Sequence, residues 1–495
     1  MEEQKKRVLA IDFGASGGRA MIAELEGEYI TIQEIHRFPN EPVYVGKTFY
    51  WDILRLFHEI KRSLQKAKSY GSIDSVSVDT WGVDFGILDK DGNLLANPVH
   101  YRDKRTEGMC SRMEELFPPQ KLYELTGNQI MEINTVFQLL ALKEKQPEYI
   151  REGTSMLMMP DLFHYMLTGK KVAEISIAST SQMLHIQNRS WANEISELLE
   201  FPQGFLPEIV ESGTIVGGLT GEICEELEIP PIKVIASAGH DTQCAMVAAP
   251  ASEKDFIFLS CGTWSLFGTE LDQPVVDESS QYLNVTNECG YGGKISFLKN
   301  IIGLWLIQES RRQWAKEGKE FEFSQLEKLG KEAEPFRSLI DPDDPIFTPS
   351  GNIPRRICEY CRNTGQPVPE TTGQIVRCIN ESLALKYRNS LEEISQCTGK
   401  DYEVIYMVGG GTQSKELCQM TADASGRRVS AGPVEATALG NAMIQMMAAG
   451  AVENLEKARS IIRNSQDIKV YEPQEEKREN WERAYRFFMH YILKK

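Results

Sequence analysis

A chain of 495 residues, 41% aliphatic or aromatic and 25% charged, has the makeup of a globular protein and the length for two large domains or three smaller ones. Acidic side chains outnumber basic ones, 71 to 54, and the net charge of −17 argues against a nucleic-acid backbone or an anionic membrane surface as partner over most of the surface. An anionic ligand would require a local pocket of basic groups or backbone dipoles.

No stretch reaches the roughly 18 apolar residues of a membrane helix, and the N-terminus leads into only the short apolar run Val8–Ile11 before Asp12, so a soluble, cytoplasmic protein is expected. The ten cysteines are scattered. The pair in Cys358-Glu-Tyr-Cys361 has no second half and no nearby histidine, which argues against zinc. Cys361 and Cys378 flank a loop bearing glycine and proline and would cross-link only if brought close; free thiols are expected in a reducing cytosol.

In chain order, Val8–Ile11 predicts a strand that runs through Asp12 into Gly14-Ala-Ser-Gly-Gly-Arg19. The stretches Ala20–Leu25 and Tyr29–Ile35 follow as two further strands around a tight glycine turn. The glycine loop therefore joins strand to strand, unlike dinucleotide and Walker A loops, which open helices. Its backbone N–H groups, with Ser16 and Arg19, suit a phosphate, and Asp12 at the strand end would hold a phosphate-bound Mg²⁺ through water. Otherwise it is a solvated turn.

Trp51–Leu64 carries apolar residues at helical spacing, and Ile73–Asp79 alternates as a strand does. The following "VDTWGVDFGILD" places Trp81, Gly82 and Asp84 at a strand end, either to cover a sugar's apolar face and bond its hydroxyls or as a buried core tryptophan. Ile232–Ser237 predicts a short buried strand running into Gly239-His-Asp-Thr242 and an apolar helix, Gln243–Ala249. Asp241 there is a helix cap, or a base taking a proton from an attacking hydroxyl, with His240 and Thr242 able to bind other hydroxyls.

Composition turns to proline and charge over Ala249–Asp255, which predicts a domain boundary near residue 250. Phe256–Gly268 then repeats the strand, glycine turn, strand pattern. Val404–Val408 is a strand ending in Gly409-Gly-Gly-Thr412; Ser414 breaks a dinucleotide spacing, leaving a glycine surface for a flat adenine and ribose. The charged stretch Glu475–Lys495, with Trp481, Phe487 and Phe488, predicts a docked amphipathic helix.

Two strand-turn-strand loops and a late triple glycine resemble the two-domain ATPases, which include actin, the seventy-kilodalton chaperones and sugar kinases. More narrowly, "VLAIDFGASGGRAMIAEL", "EIHRFPNEPV", "YRDKRT", "MMPDLFHYMLTG", "GHDTQ", "CGTWSL" and "VGGGTQSKELCQMTADASGRRVSAGPVEATALGNA" resemble the FGGY carbohydrate kinases over nearly the whole chain. "DTWGVDFG" and "LKNIIGLWLIQ" resemble the branch acting on L-rhamnulose.

The resemblance implies an α/β fold of two actin-like (ribonuclease H-like) domains, 1–249 and 250–495, with a cleft between them. It implies ATP-dependent phosphorylation of L-rhamnulose at the 1-hydroxyl, the second step of L-rhamnose degradation, with Mg²⁺ as cofactor and no nucleic-acid or membrane partner. On the matching positions, Ala15, Ser16, Gly17, Gly18, Arg19, Thr263, Gln308 and Gly410 would bind ATP, with Asp12 holding the metal. Gly82, His240, Asp241, Thr242 and Asn300 would hold the sugar, with Asp241 as proton acceptor. Other ketoses, L-fuculose or D-xylulose, are the nearest rival substrates. An actin-like or chaperone-like ATP-binding protein is the rival of another class, although little beyond a helical tail follows residue 450. Gly17 stands where the family loop carries a second serine, and Thr421–Ser425 lacks a cysteine pair found in some relatives.

Overall fold

The computed structural model describes residues 5–495, which form two compact units. The first takes the chain up to Ser252 together with Leu271–Phe297 and Ala436–Ser465; the second takes Glu253–Glu270, Leu298–Glu435 and Gln466–Lys495. This differs from a simple division at residue 250, because two later segments return to the first unit. The reason is visible in the helix Ala436–Ala448, which is apolar almost throughout and finds its cover on the first unit's sheet and on the helix Asp241–Val247.

Among the described residues, the first unit's main sheet has six strands: β1 (Lys6–Gly14), β2 (Gly17–Glu26), β3 (Tyr29–Pro39), β4 (Ser75–Thr80), β5 (Thr214–Gly218) and β6 (Lys233–Ala236). Their order is β5-β6-β4-β1-β2-β3. The β1-β2-β3 meander is antiparallel, while β4 and β6 run parallel to β1. Side chains alternate between faces along a strand. Leu9, Ile11 and Phe13 of β1 join Trp51, Ile60, Val76 and Val78 in one buried core, covered by the helix Ile53–Ala67. The alternate positions, Val8, Ala10 and Asp12 on β1 and Ser75, Ser77 and Asp79 on β4, take the other face. There Ser75 donates to Gln445 of the helix Ala436–Ala448.

A second main sheet repeats the pattern with β7 (Ile257–Cys261), β8 (Trp264–Leu271), β9 (Ile295–Ile302), β10 (Val404–Val408), β11 (Arg428–Ala431) and β12 (Lys469–Tyr471). Among the described residues that sheet has seven strands, in the order Thr286–Cys289, β9, β8, β7, β10, β11, β12, and again puts a hairpin next to two parallel strands. The C-terminal stretch forms the helix Arg478–Phe487, whose Trp481 packs edge-on to Phe336 at 4.8 Å. All ten cysteines are free thiols, and those of Cys361 and Cys378 share a hydrogen bond.

Candidate active site

In the first unit, β1 and β2 are joined by a two-residue turn, Ala15-Ser16, with Gly14 paired to Gly17 across it. Ser16 is exposed, and Ala15, Gly17 and Arg19 are half-buried. A Cβ on Gly18 would run into the ring of Phe38, so any other residue there would displace that ring. At Gly17 a Cβ would lie 3.2 Å from the Phe38 carbonyl oxygen. A serine at residue 17 would therefore press on the backbone of β3. Asn40 pins the turn from the third strand's end: its amide donates to the Gly14 carbonyl at 3.1 Å, and its backbone N–H to that of Ser16 at 3.4 Å.

Asp12 sits in register with Arg19 on β2 and with Asp79 on β4. Arg19 Nε donates to Asp12 Oδ2 at 3.1 Å. Asp79 is fully buried; its Oδ2 accepts from Asn441 Nδ2 at 2.6 Å, while its Oδ1 has no hydrogen-bond partner. Burial, and then the charge of Asp12, push its carboxyl well above the usual range, against the pull of Asn441. Asn441 is braced in turn by Gln445, one helical turn on, whose amide donates to Asn441 Oδ1 at 2.7 Å and to the Leu9 carbonyl at 3.1 Å.

The turn after β6 brings Asp241 to the same place. Thr80 N–H donates to the Gly239 carbonyl at 2.9 Å, and Gly239 N–H donates to buried Glu174 at 2.8 Å. Asp241 opens the helix Asp241–Val247. Burial and the charge of Asp12 raise its carboxyl to about 6, while His240 and Thr242 pull it down. The helix dipole that favours an ionised Asp241 is thus outweighed, leaving a group that is ionised at neutral pH yet close to titrating. His240 Nε2 lies 3.5 Å from Asp241 Oδ1, and Thr242 Oγ1 donates to that same oxygen at 3.2 Å.

Gly82 is followed by Val83 at φ 67°, a left-handed conformation that is strained for a β-branched residue. The turn is held there from three sides: Val83 N–H donates to Thr180 Oγ1 at 3.2 Å, and its carbonyl accepts from Thr135 Oγ1 at 2.7 Å and Gln138 Nε2 at 3.3 Å. Of the two readings of Trp81, the structure supports the buried core tryptophan. Its ring is buried against Trp51 at 4.0 Å, and both indole N–H groups donate to Asp84, at 2.6 Å from Trp51 and 3.0 Å from Trp81. Asp84 is consumed inside the protein, and burial raises it to about 6.

In the second unit, the turn Gly262-Thr263 joins β7 to β8, and Thr263 Oγ1 donates to Gln308 Oε1 at 3.2 Å. Two residues read separately as nucleotide contacts are therefore neighbours. The helix Trp305–Lys316 is seated on this turn, with Leu304 N–H donating to the Gly262 carbonyl at 2.9 Å. Gly303 permits that seating, since a Cβ would lie 2.8 Å from Ser265 N. The triple glycine packs on the same turn: a Cβ on Gly411 would meet Cys261 Cβ at 2.6 Å, and one on Gly409, at φ 85°, the Cys261 carbonyl at 3.2 Å. Gly410 alone of the three faces open space. Asn300 is half-buried on β9.

Two family models match nearly the whole chain: the N-terminal domain of the FGGY family of carbohydrate kinases over residues 7–248, and its C-terminal domain over residues 257–449. The chain belongs to the FGGY family of carbohydrate kinases. Among relatives of this kinase, the rhamnulokinase of Bacteroides thetaiotaomicron is 41% identical, covering 98% of this chain and 99% of its own. That of Halalkalibacterium halodurans is 41% identical over 94% of this chain and 98% of its own. A xylulose kinase structure from Lactobacillus acidophilus superposes with a TM-score of 0.82 at 17% identity, covering 98% of this chain and 97% of its own. A glycerol kinase from Plasmodium falciparum, with ADP, superposes with a TM-score of 0.77 at 16% identity, covering 97% of each chain. Both establish the shared two-domain, actin-like fold. No helix among the described residues is long and apolar enough to cross a membrane.

Sequence reading of this kinase missed Asn40, Asp79, Glu174, Asn441 and Gln445 among these residues. Asn441 and Gln445 did leave a signal, as polar residues one turn apart in an otherwise apolar helix.

Proposed function

We propose that this kinase transfers the terminal phosphate of ATP to the 1-hydroxyl of L-rhamnulose, in the cytoplasm, as the second step of L-rhamnose degradation. The observation that carries the transfer chemistry is Asp241, a carboxyl poised at about 6 within electrostatic reach of Asp12 on the glycine hairpin. The choice of sugar is supported by the rhamnulokinase relatives and by its chemistry. A 6-deoxy-ketose has one primary hydroxyl, at carbon 1, and an unhindered nucleophile there alone.

In this reading Asp241 accepts the proton of that hydroxyl as its oxygen meets phosphorus, and His240, Thr242, Gly82 and Asn300 bind the other hydroxyls. The hairpin Ala15–Arg19 and Thr263 cradle the phosphates, Gln308 contacts the nucleotide, and Gly410 receives the adenosine. Each unit thus supplies one phosphate-binding hairpin.

The residues fit Mg²⁺ of the kind carried by phosphates. Asp12 carries its carboxylate beside buried Asp79, whose Oδ1 is orphaned, yet no group of three ligating side chains is gathered to cage an ion among the described residues. Asp12 would hold the hydrated ion, which when bound neutralises phosphate charge.

A coupled ADP-release assay over L-rhamnulose, L-fuculose, D-xylulose and glycerol at fixed Mg·ATP is expected to respond most strongly to L-rhamnulose; a strong response to another member with none to L-rhamnulose overturns the assignment. Gly410→Val tests the adenosine surface separately. A Cβ there meets nothing within 4 Å, so thermal stability should be unchanged while KM for ATP rises about tenfold, roughly 1.4 kcal/mol of binding. An unchanged KM removes Gly410 from the nucleotide site.

A further inference from the structure

Behind His240 lies a polar assembly that the reading above leaves unused. His240 Nδ1 is 2.9 Å from Glu288 Oε2, and the same oxygen accepts from Gln243 Nε2 at 3.0 Å. Gln243 Oε1 in turn accepts from Ser296 Oγ at 2.6 Å, which fixes the orientation of the Gln243 amide. His240, Gln243, Glu288 and Ser296 are all buried and belong to the first unit. On its far side the imidazole presents Nε2 to Asp241 Oδ1 at 3.5 Å. Glu288, His240 and Asp241 therefore form a line of carboxylate, imidazole and carboxylate, with Thr242 Oγ1 on the same Asp241 oxygen.

We propose that Glu288 is a positioning residue of the phosphotransfer: it grips His240 through Nδ1 so that Nε2–H is held between Asp241 Oδ1 and the sugar hydroxyl that His240 binds, keeping the base ionised and its Oδ2 turned to the attacking hydroxyl. The proposal rests on Asp241 being the base. Three negative groups surround the imidazole, namely Glu288, Asp241 and Glu174, and they outweigh the burial that would otherwise discharge it. Burial and the like charge of Asp12 act on Asp241 against His240 and Thr242. His240 is thus the positive neighbour that offsets the Asp12 carboxylate, and Glu288 is what keeps it positive. A buried ion pair of this kind is a weak source of stability, whereas a carboxylate behind a histidine sets which nitrogen carries the proton and where it points.

The sense of the pH dependence follows. Activity requires Asp241 ionised and His240 charged, so the rate rises through the Asp241 titration and falls through that of His240. With Glu288→Gln the neutral amide still accepts from Nδ1–H but no longer stabilises the cation. His240 then loses its proton at lower pH, and Asp241, deprived of its positive neighbour, gains one at higher pH.

The experiment compares kcat/KM against pH for the wild-type kinase and Glu288→Gln, using whichever ketose the wild type turns over; failure of L-rhamnulose as substrate is thereby separated from failure of this proposal. The acid limb is expected to move up, the alkaline limb down, and kcat at pH 7 to fall about tenfold, with KM for ATP unchanged and Glu288→Asp recovering part of the rate. Superimposable pH profiles overturn the proposal, as does a loss confined to KM. Should Glu288→Gln not fold, nitrogen-detected NMR of wild-type His240 decides. Both ring nitrogens protonated at pH 7 supports the proposal, and a neutral imidazole overturns it.

Discussion

Replacing Asp241 by asparagine is expected to lower kcat by about a hundredfold or more, the scale of losing a general base, while folding and ATP affinity stay close to wild type. The amide fills the same volume, so what is lost is the capacity to accept a proton. The wild-type group titrates near 6 because burial and the Asp12 charge outweigh His240 and Thr242. Below that pH Asp241 is protonated and useless as a base, so wild-type kcat/KM should fall as pH drops through about 6. In Asp241→Asn the residual rate should lack that limb. Steady-state kinetics across pH, calorimetric ATP titration and a thermal melt check the three parts. A near-normal kcat removes Asp241 from the role.

Gly440→Ala is expected to cost stability, against the ordinary gain of about 1 kcal/mol for replacing glycine inside a helix. A Cβ at residue 440 would overlap the Cys244 carbonyl oxygen and lie 2.5 Å from its carbon, both backbone atoms of the helix Asp241–Val247. Overpacking of this kind costs about 1–3 kcal/mol, and here no side chain can swing aside to relieve it. The same displacement reaches the site. Cys244 lies on the helix that Asp241 opens, and Asn441, next to Gly440, holds Asp79. A lowered Tm together with a lowered kcat is the expected result, read by differential scanning calorimetry and the coupled assay. Gly221→Ala is the control. It opens the helix Gly221–Leu227, a Cβ there meets nothing within 4 Å, and it should melt as the wild type does. Equal melting of the two variants would show that the helices yield without cost.

The glycine hairpin was legible because its information is local. An apolar run, a carboxylate, a glycine-rich turn and an alternating strand predict β1, β2 and the turn between them from consecutive residues. The strand Val404–Val408 was legible for the same reason and has those ends in the structure. Asp241 was placed correctly at a strand-to-helix turn, though not its titration near 6, which depends on burial and on Asp12, 229 positions away in the chain. Trp81 shows the opposite case. Its local context leaves a sugar platform and a core tryptophan both open, and only Trp51 and Asp84 decide for the core.

Periodicity and turn chemistry therefore determined the two hairpins, the glycine surface and the candidate base, since each is written in a few adjacent residues. The return of Ala436–Ala448 to the first unit was decided in three dimensions, and with it the bond from Asn441 to Asp79 across 362 positions. So were the link from Glu288 to His240 and the division of labour between Gly409, Gly410 and Gly411. Burial and charge are properties of what surrounds a group, and for these residues the surroundings come from distant parts of the chain.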